Sequence, residues 1–298
     1  MPELPEIETV KLQLQKQLVG QQLTAIEALN HKSLHGKKDL VEGKRIVEVG
    51  RKGKMLVIDL EEDLVIAIHF KMSGQLILIR SSKFKAHSQK ESFENRIVGG
   101  HPTLDWVGNL PSKHTRVIFH FQSGDIMYFN DQRLFGWVKI VTQRQLLEMP
   151  FVKKLGPEIW DISAQKFYEL LHKKKKAIKV AIMEQDLLSG VGNIYANDGL
   201  WEAKIHPKTL AYDLTPTQVR ALQKGIITVL KDGITYGGAT AADGKYMDLQ
   251  GLGGHYQDHF RTYHRTNEKC LRNDGGVIKK ITLGGRGTYF CPVCQPER

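Results

Sequence analysis

This chain is poor in cysteine: it has only Cys270, Cys291 and Cys294 among 298 residues, all near the C-terminus. So few thiols argue against a disulfide framework, and their proximity in sequence favours a metal site. No apolar run approaches the ~20 residues of a membrane span. Charges at Glu3 and Glu6 also break the pattern of a secretory leader. A cytoplasmic protein with no membrane partner is therefore expected. Acidic residues are in the minority, 32 Asp plus Glu against 43 Lys plus Arg, a net charge of +11. That excess points to a polyanionic partner, nucleic acid ahead of an anionic membrane surface. Internal repeats are absent too, and Lys173–Lys176 is the only low-complexity run.

What is present falls into regions. The length favours two domains over one. Ile7, Val10, Leu14 and Leu18 keep helical spacing ahead of Gly20. Short β-type runs follow at Arg45–Val49, Met55–Leu60, Leu64–Phe70 and Gln75–Arg80, with the acidic Glu61-Glu62-Asp63 turn marking a hairpin. Residues 83–112 lose the pattern and read as a long surface insertion. Strands resume at Val117–Phe121 and Ile126–Phe129. Beyond Leu155-Gly156-Pro157-Glu158 the chain turns helical. Ser163 caps a helix through Leu171, Ile178–Leu188 and Asn193–Ala203 are further apolar-periodic runs, and Thr215-Pro216-Thr217-Gln218 is a capping box with proline at the first helical position.

Residues 2–9, Pro2-Glu3-Leu4-Pro5-Glu6-Ile7-Glu8-Thr9, are the most informative stretch. With Met1 trimmed, the chain would begin with a secondary amine beside an acid. An amine can attack a sugar carbon and form an iminium. A terminal amine titrates near 7.7–8.0 and lysine near 10.4, so at pH 7 the terminus is roughly hundreds of times more populated in its nucleophilic form. A prolyl helix start accounts equally well for Pro2 and Pro5 taken alone.

This opening resembles the formamidopyrimidine-DNA glycosylase family, bifunctional enzymes that excise oxidised purines and cleave the abasic strand. The related endonuclease VIII branch has Gly where this chain has Leu4. Several downstream motifs extend the resemblance over nearly the whole length. Lys54, in Gly53-Lys54-Met55-Leu56, matches the family's hairpin lysine. His69-Phe70-Lys71-Met72-Ser73-Gly74 and Asn130-Asp131-Gln132-Arg133-Leu134-Phe135-Gly136 match the loops that carry its intercalating wedge, which implies Met72, Arg133 and Phe135. Lys71 replaces a common Gly there and Gln132 a common Pro. His114 matches a DNA-contacting histidine. Lys174 and Lys179 match backbone-contacting lysines, and Gly190-Val191-Gly192-Asn193 matches the helix–two-turn–helix element, with Asn193 at a phosphate-binding helix N-terminus. Asp198 stands where Glu is usual. Residues Gly237–Gly254 correspond to the loop that covers the flipped purine.

The tail, Leu283-Gly284-Gly285-Arg286 through Cys291-Pro292-Val293-Cys294, resembles the family's zinc ribbon, with Arg286 at a hairpin tip facing phosphates. One structural zinc is implied, held by Cys270, Cys291 and Cys294. Asn273 occupies the place of the fourth cysteine, leaving Asp274 or His264 to complete the set, or a metal-free ribbon held by packing.

The resemblance implies an α+β multidomain fold. Its parts would be an N-terminal antiparallel β-sandwich with its helix (1–140), a linker (141–160), a helix–two-turn–helix domain with the lesion loop (161–254) and a zinc-ribbon-like β-hairpin (255–298). Damaged double-stranded DNA would lie in the basic cleft of a monomer. Pro2 would be the nucleophile, Glu3 the proton shuttle, Glu6 a supporting carboxylate, and Lys54 and Arg286 the groups that assist phosphate departure in β,δ-elimination. An endonuclease VIII-type enzyme for oxidised pyrimidines shares this chemistry, but Leu4 and the Arg133/Phe135 loop disfavour it. A non-catalytic lesion-binding protein shares the wedge yet leaves Pro2, Glu3 and Lys54 unexplained. An RNA-binding protein with the same helical element explains only the charge.

Overall fold

The structure is a computed structural model describing residues 1–81, 96–100 (backbone only), 110–239 and 254–297. The chain forms two compact units, Met1–Lys153 with Gly237–His255, and Lys154–Tyr236 with Tyr256–Arg298.

The first unit begins with α1 (Leu4–Leu18). Its stripe of Ile7, Val10, Leu14 and Leu18 is buried, as the periodicity requires, and the chain leaves the helix through an extended Val19 and a left-handed Gly20 (φ 83°). Two five-stranded sheets follow. One runs in the order β1 (Leu23–Ala28), β8 (Thr115–Phe121), β9 (Ile126–Asp131), β6 (Gly74–Ile79), β7 (Arg96–Gly100). The other runs β2 (Leu34–His35), β10 (Trp137–Thr142), β5 (Leu64–His69), β4 (Met55–Leu60), β3 (Ile46–Lys52). Ile58, Ile66 and Ile68 of one sheet share a core with Leu76, Leu78, Phe119, Met127 and Phe129 of the other, together with the α1 stripe. The outer face of the second sheet is covered by Leu146 of α2 (Gln143–Glu148) and by Phe151 of α3 (Pro150–Lys153). β4 and β5 are thus buried on both faces, which explains their near-continuous apolar runs.

Four strands escape the sequence reading. β1 lacks alternation because a bulge between Leu23 and Ala25 shifts its register on β8. β2 is two residues long, and β10 follows a turn-rich loop. Within the expected insertion at 83–112, residues 96–100 form β7 and extend β6 antiparallel. The chain passes between the sheets at three connections: β1 to β2, β5 to β6, and β9 to β10.

In the second unit Ser163 caps α4 (Ala164–His172), and Thr215 and Gln218 close the expected capping box on α7 (Pro216–Thr235). α7 packs on α6 (Asn193–Glu202) through two glycines: a Cβ on Gly225 would stand 2.7 Å from the Gly199 carbonyl. The run Ile178–Leu188 is a correction. Only Ile178–Ala181 (α5) is helical. Its buried apolar residues, Ile178, Ala181, Ile182, Leu187 and Leu188, leave a gap that no helical stripe spans, and turns closed on the Ala181 and Glu184 carbonyls bury them instead. Asp198, fully buried on α6, accepts from the backbone N–H groups of Arg261, Thr262 and Tyr263 (3.1, 2.9 and 3.1 Å) and so fastens the segment that follows α7. Burial pushes its carboxyl up, against the pull of those donors. The unit ends in the hairpin β11 (Lys279–Leu283) and β12 (Arg286–Phe290).

Candidate active site and nucleic-acid interface

Strand register gathers the expected residues of the first unit at one end of the sandwich. Met55 and Trp137 both pair with His69, so the Lys54 turn, the 70–73 loop and the 132–136 loop are neighbours. Asp131 N–H donates to the His114 carbonyl (2.9 Å), which brings His114 to the same end. Lys54 is buried (4 % exposed), as are Pro2 and Glu3. Phe135 is 55 % exposed, with the Arg133 guanidinium over its ring at 5.2 Å, and Met72 is half-buried.

The amino end of α1 is tightly held. Glu3 N–H donates to one Glu6 oxygen (2.7 Å), completing a capping box. Ala239 N–H donates to the other Glu6 oxygen (2.8 Å). Glu6 is therefore a brace that fixes Glu3 and the root of the following segment. The rest of the expected lesion loop, residues 240–253, lies outside the described residues.

Five organising residues, Arg51, Glu8, Lys11, His69 and Asp131, were not singled out from sequence. Arg51 donates to Glu8 of α1 and to the Gly53 carbonyl (3.4 Å), tying the helix to the turn that presents Lys54. Lys11 holds the same Glu8 at 2.6 Å. Burial raises the Glu8 carboxyl, but hydrogen bonds from Lys11 and Arg51 outweigh it and the net shift is downward. His69 Nδ1 accepts from Lys71 N–H (3.0 Å), and its ring lies against Trp137 and Phe151. Burial, aided by the charges of Lys71 and Lys54, lowers it to about 3, so the imidazole is neutral. Asp131 accepts from both the 70–73 and the 132–136 loop. Glu8, His69 and Asp131 carried a local signal, inside the motifs already quoted; Arg51 and Lys11 did not.

In the second unit Lys179 is fully buried and donates to Asn193 Oδ1 (2.6 Å), while Asn193 Nδ2 donates to the Gly287 carbonyl (3.2 Å). These three residues fasten the N-terminus of α6 to the ribbon strand that begins with Arg286. Gly284 and Gly285, at φ 56° and 71°, form the two-residue tip that exposes Arg286. Lys174 is paired with Glu184 (2.7 Å) and Asp186 (3.4 Å), and Lys176 also reaches Glu184.

Cys270, Asp274, Cys291 and Cys294 place one donor atom each within 4.8 Å of one another. Zn–S bonds of 2.3 Å and Zn–O bonds near 2.0 Å in a tetrahedron imply edges of about 3.5–3.8 Å. The Cys270–Cys294 sulfurs lie 3.9 Å apart, and Asp274 oxygens lie 3.6 and 3.7 Å from Cys291. The donor set fits a structural zinc. His264 is not in the cluster; it stacks on Tyr289.

One unit thus buries an acid and a lysine at one end of its β-sandwich, and the other carries a glycine-rich turn at a helix N-terminus and a ribbon with four donors for a zinc ion. Comparison with known proteins supplies the class. Residues 1–138 match the formamidopyrimidine-DNA glycosylase N-terminal domain, 155–244 its H2TH domain, and 267–296 the zinc finger found in FPG and IleRS. The formamidopyrimidine-DNA glycosylase of Pelotomaculum thermopropionicum is 34% identical over 302 residues, 99% of each chain. That of Chloroflexus aurantiacus is 35% identical over 300 residues, 99% of this chain and 98% of its own. Two solved structures of the Lactococcus lactis Fpg, one with abasic-site DNA and one with Fapy-dG DNA, each superpose at a TM-score of 0.80 with 32% identity, over 99% of this chain and 100% of theirs. The chain belongs to the formamidopyrimidine-DNA glycosylase family, whose members are DNA glycosylases and abasic-site lyases. Among the described residues no helix is long and apolar enough to cross a membrane.

Proposed function

We propose that this protein excises oxidised purines, 8-oxoguanine and formamidopyrimidines, from damaged double-stranded DNA and then cuts the abasic strand on both sides, acting as a cytoplasmic monomer. The observation that carries the reading is the burial of Pro2, Glu3 and Lys54 in one unit, with the Glu3 N–H held by Glu6, which also accepts from Ala239. Burying an acid and a lysine is costly, and such groups are kept where chemistry uses them. The Lactococcus lactis relative was solved on Fapy-dG and abasic DNA, in keeping with this substrate class.

With Met1 removed, the Pro2 nitrogen attacks the anomeric carbon and the base departs with the glycosidic electron pair. Glu3 moves the protons that open the sugar ring and allow the iminium to form. Loss of a proton from C2′ expels the 3′ phosphate, and a second elimination expels the 5′ phosphate. Lys54 and Arg286 stabilise the departing phosphates. Met72, Arg133 and Phe135 fill the space the lesion leaves, and His114, Lys174, Lys179 and the α6 N-terminus at Asn193 meet the backbone. Lys179 does so through Asn193, since its own amine is buried against it. Asp274 is the fourth zinc ligand.

Borohydride reduces an iminium to a stable amine. It should trap a covalent adduct on duplexes carrying 8-oxoguanine in preference to thymine glycol, and Pro2→Gly should diminish it. Equal trapping of thymine glycol would move the substrate class to oxidised pyrimidines, and an undiminished Pro2→Gly adduct would remove the prolyl nucleophile.

A further inference from the structure

The 70–73 and 132–136 loops are two of the three connections by which the chain crosses between sheets, and they run side by side. The Asp131 side chain bonds to both of them. Asp131 is fully buried at the end of β9. One of its carboxylate oxygens accepts from the Ser73 hydroxyl and the Arg133 N–H (3.2 Å), and the other from the Gly136 N–H (2.7 Å). The Arg133 N–H also reaches Ser73 Oγ (3.0 Å). Asp131 thus binds both ends of the second loop and the far end of the first. There is no space for a substitute at the closing residue: a Cβ on Gly136 would stand 2.8 Å from the Phe129 ring. Each loop also holds a non-glycine residue in the left-handed region, Lys71 at φ 50° and Leu134 at φ 58°. Such backbone persists only where its surroundings over-determine it.

We propose that Asp131 is the positioning residue for duplex opening: its carboxylate locks Met72, Arg133 and Phe135 into one rigid wedge. The proposal rests on the reading of those three side chains as the wedge. A tip assembled from two untied loops would lose its bite during insertion, because each loop must then be ordered against the cost of unstacking.

The test uses Asp131→Asn, whose amide keeps the shape but cannot accept at both positions, with Met72→Ala/Phe135→Ala as the wedge control. Unstacking is followed by stopped-flow fluorescence of 2-aminopurine beside 8-oxoguanine, in a fully paired duplex and in one with the lesion in a mismatched bubble. Asp131→Asn should slow unstacking and excision about tenfold or more on the paired duplex, leave the bubble nearly unchanged, and leave borohydride trapping on an abasic site intact. Equal slowing on both duplexes would reduce Asp131 to general architecture and overturn the proposal. Normal opening by Asp131→Asn, with slow opening by the wedge control, would overturn the proposal alone. Normal opening by the wedge control would remove the wedge reading and the proposal with it. Should Asp131→Asn fail to fold, Ser73→Ala, which cuts one arm of the clasp, must show the same selective slowing on the paired duplex, and its absence overturns the proposal.

Discussion

Protonating His69 should unfold the first unit by a predictable amount. The imidazole is 5 % exposed, faces Trp137 and Phe151, and has Lys71 and Lys54 as its charged neighbours. Its folded pKa is lowered to about 3, against about 6.5 unfolded. Between those values the unfolded chain binds the proton and the folded chain does not, so stability falls as pH drops through that window. At pH 5 the loss is about 2 kcal/mol relative to pH 7.5. The figure is insensitive to the folded value, because pH 5 lies far above it. His69→Asn preserves an acceptor for the Lys71 N–H and cannot titrate. Peroxide oxidation of the fully buried Met55 with rising urea, read by mass spectrometry, reports unfolding of this unit at any pH. The wild type should lose about 2 kcal/mol against His69→Asn between pH 7.5 and 5. A difference that stays flat over that range would refute the reasoning, as would an NMR titration of His69 near 6.5.

Three further outcomes are expected. Arg51→Ala should destabilise the first unit by about 2 kcal/mol, less than a fully orphaned buried charge because Lys11 still holds Glu8, and should lower kcat more than it raises KM, since Lys54 loses its support. The Glu8 contribution, with a lowered carboxyl pKa, is present above about 4.5 and lost as pH falls through the folded value; acid titration of wild type against Arg51→Ala checks the sign. Purified protein should carry one equivalent of zinc by elemental analysis; Asp274→Ala should lose it and Asp274→Cys retain it, with hydrogen exchange in β11–β12 accelerating on chelation. Glu184→Gln should free Lys176 for phosphate while Lys174 keeps Asp186, tightening DNA binding at low salt and steepening the log–log salt slope by about 1, measured by fluorescence anisotropy.

Local signals carried much of the fold. Periodicity and caps place α1, α4 and α7, the Glu62-Asp63 turn places the β4–β5 hairpin, and Gly284-Gly285 announces the ribbon tip. Irregular elements stayed hidden: the bulged β1, and the apolar run after Ile178 that buries itself in turns rather than a helix. The site divides in the same way. Pro2, Lys54, Met72 and Arg286 sit in short contiguous motifs. The partners that organise them do not: Arg51 meets Glu8 across 43 residues, Ser73 meets Asp131 across 58, and Ala239 meets Glu6 across 233. Pairings made by tertiary packing leave no periodicity in the chain.

A carboxylate among the ribbon ligands changes how this protein meets peroxide. Sulfur ligands climb from sulfenic acid to irreversible oxyacids, whereas Asp274 has no such chemistry. With Cys270, Cys291 and Cys294 as its only thiols, the chain cannot pair them all within itself. Any disulfide formed within the ribbon therefore strands one sulfur, which is left to the oxyacid ladder.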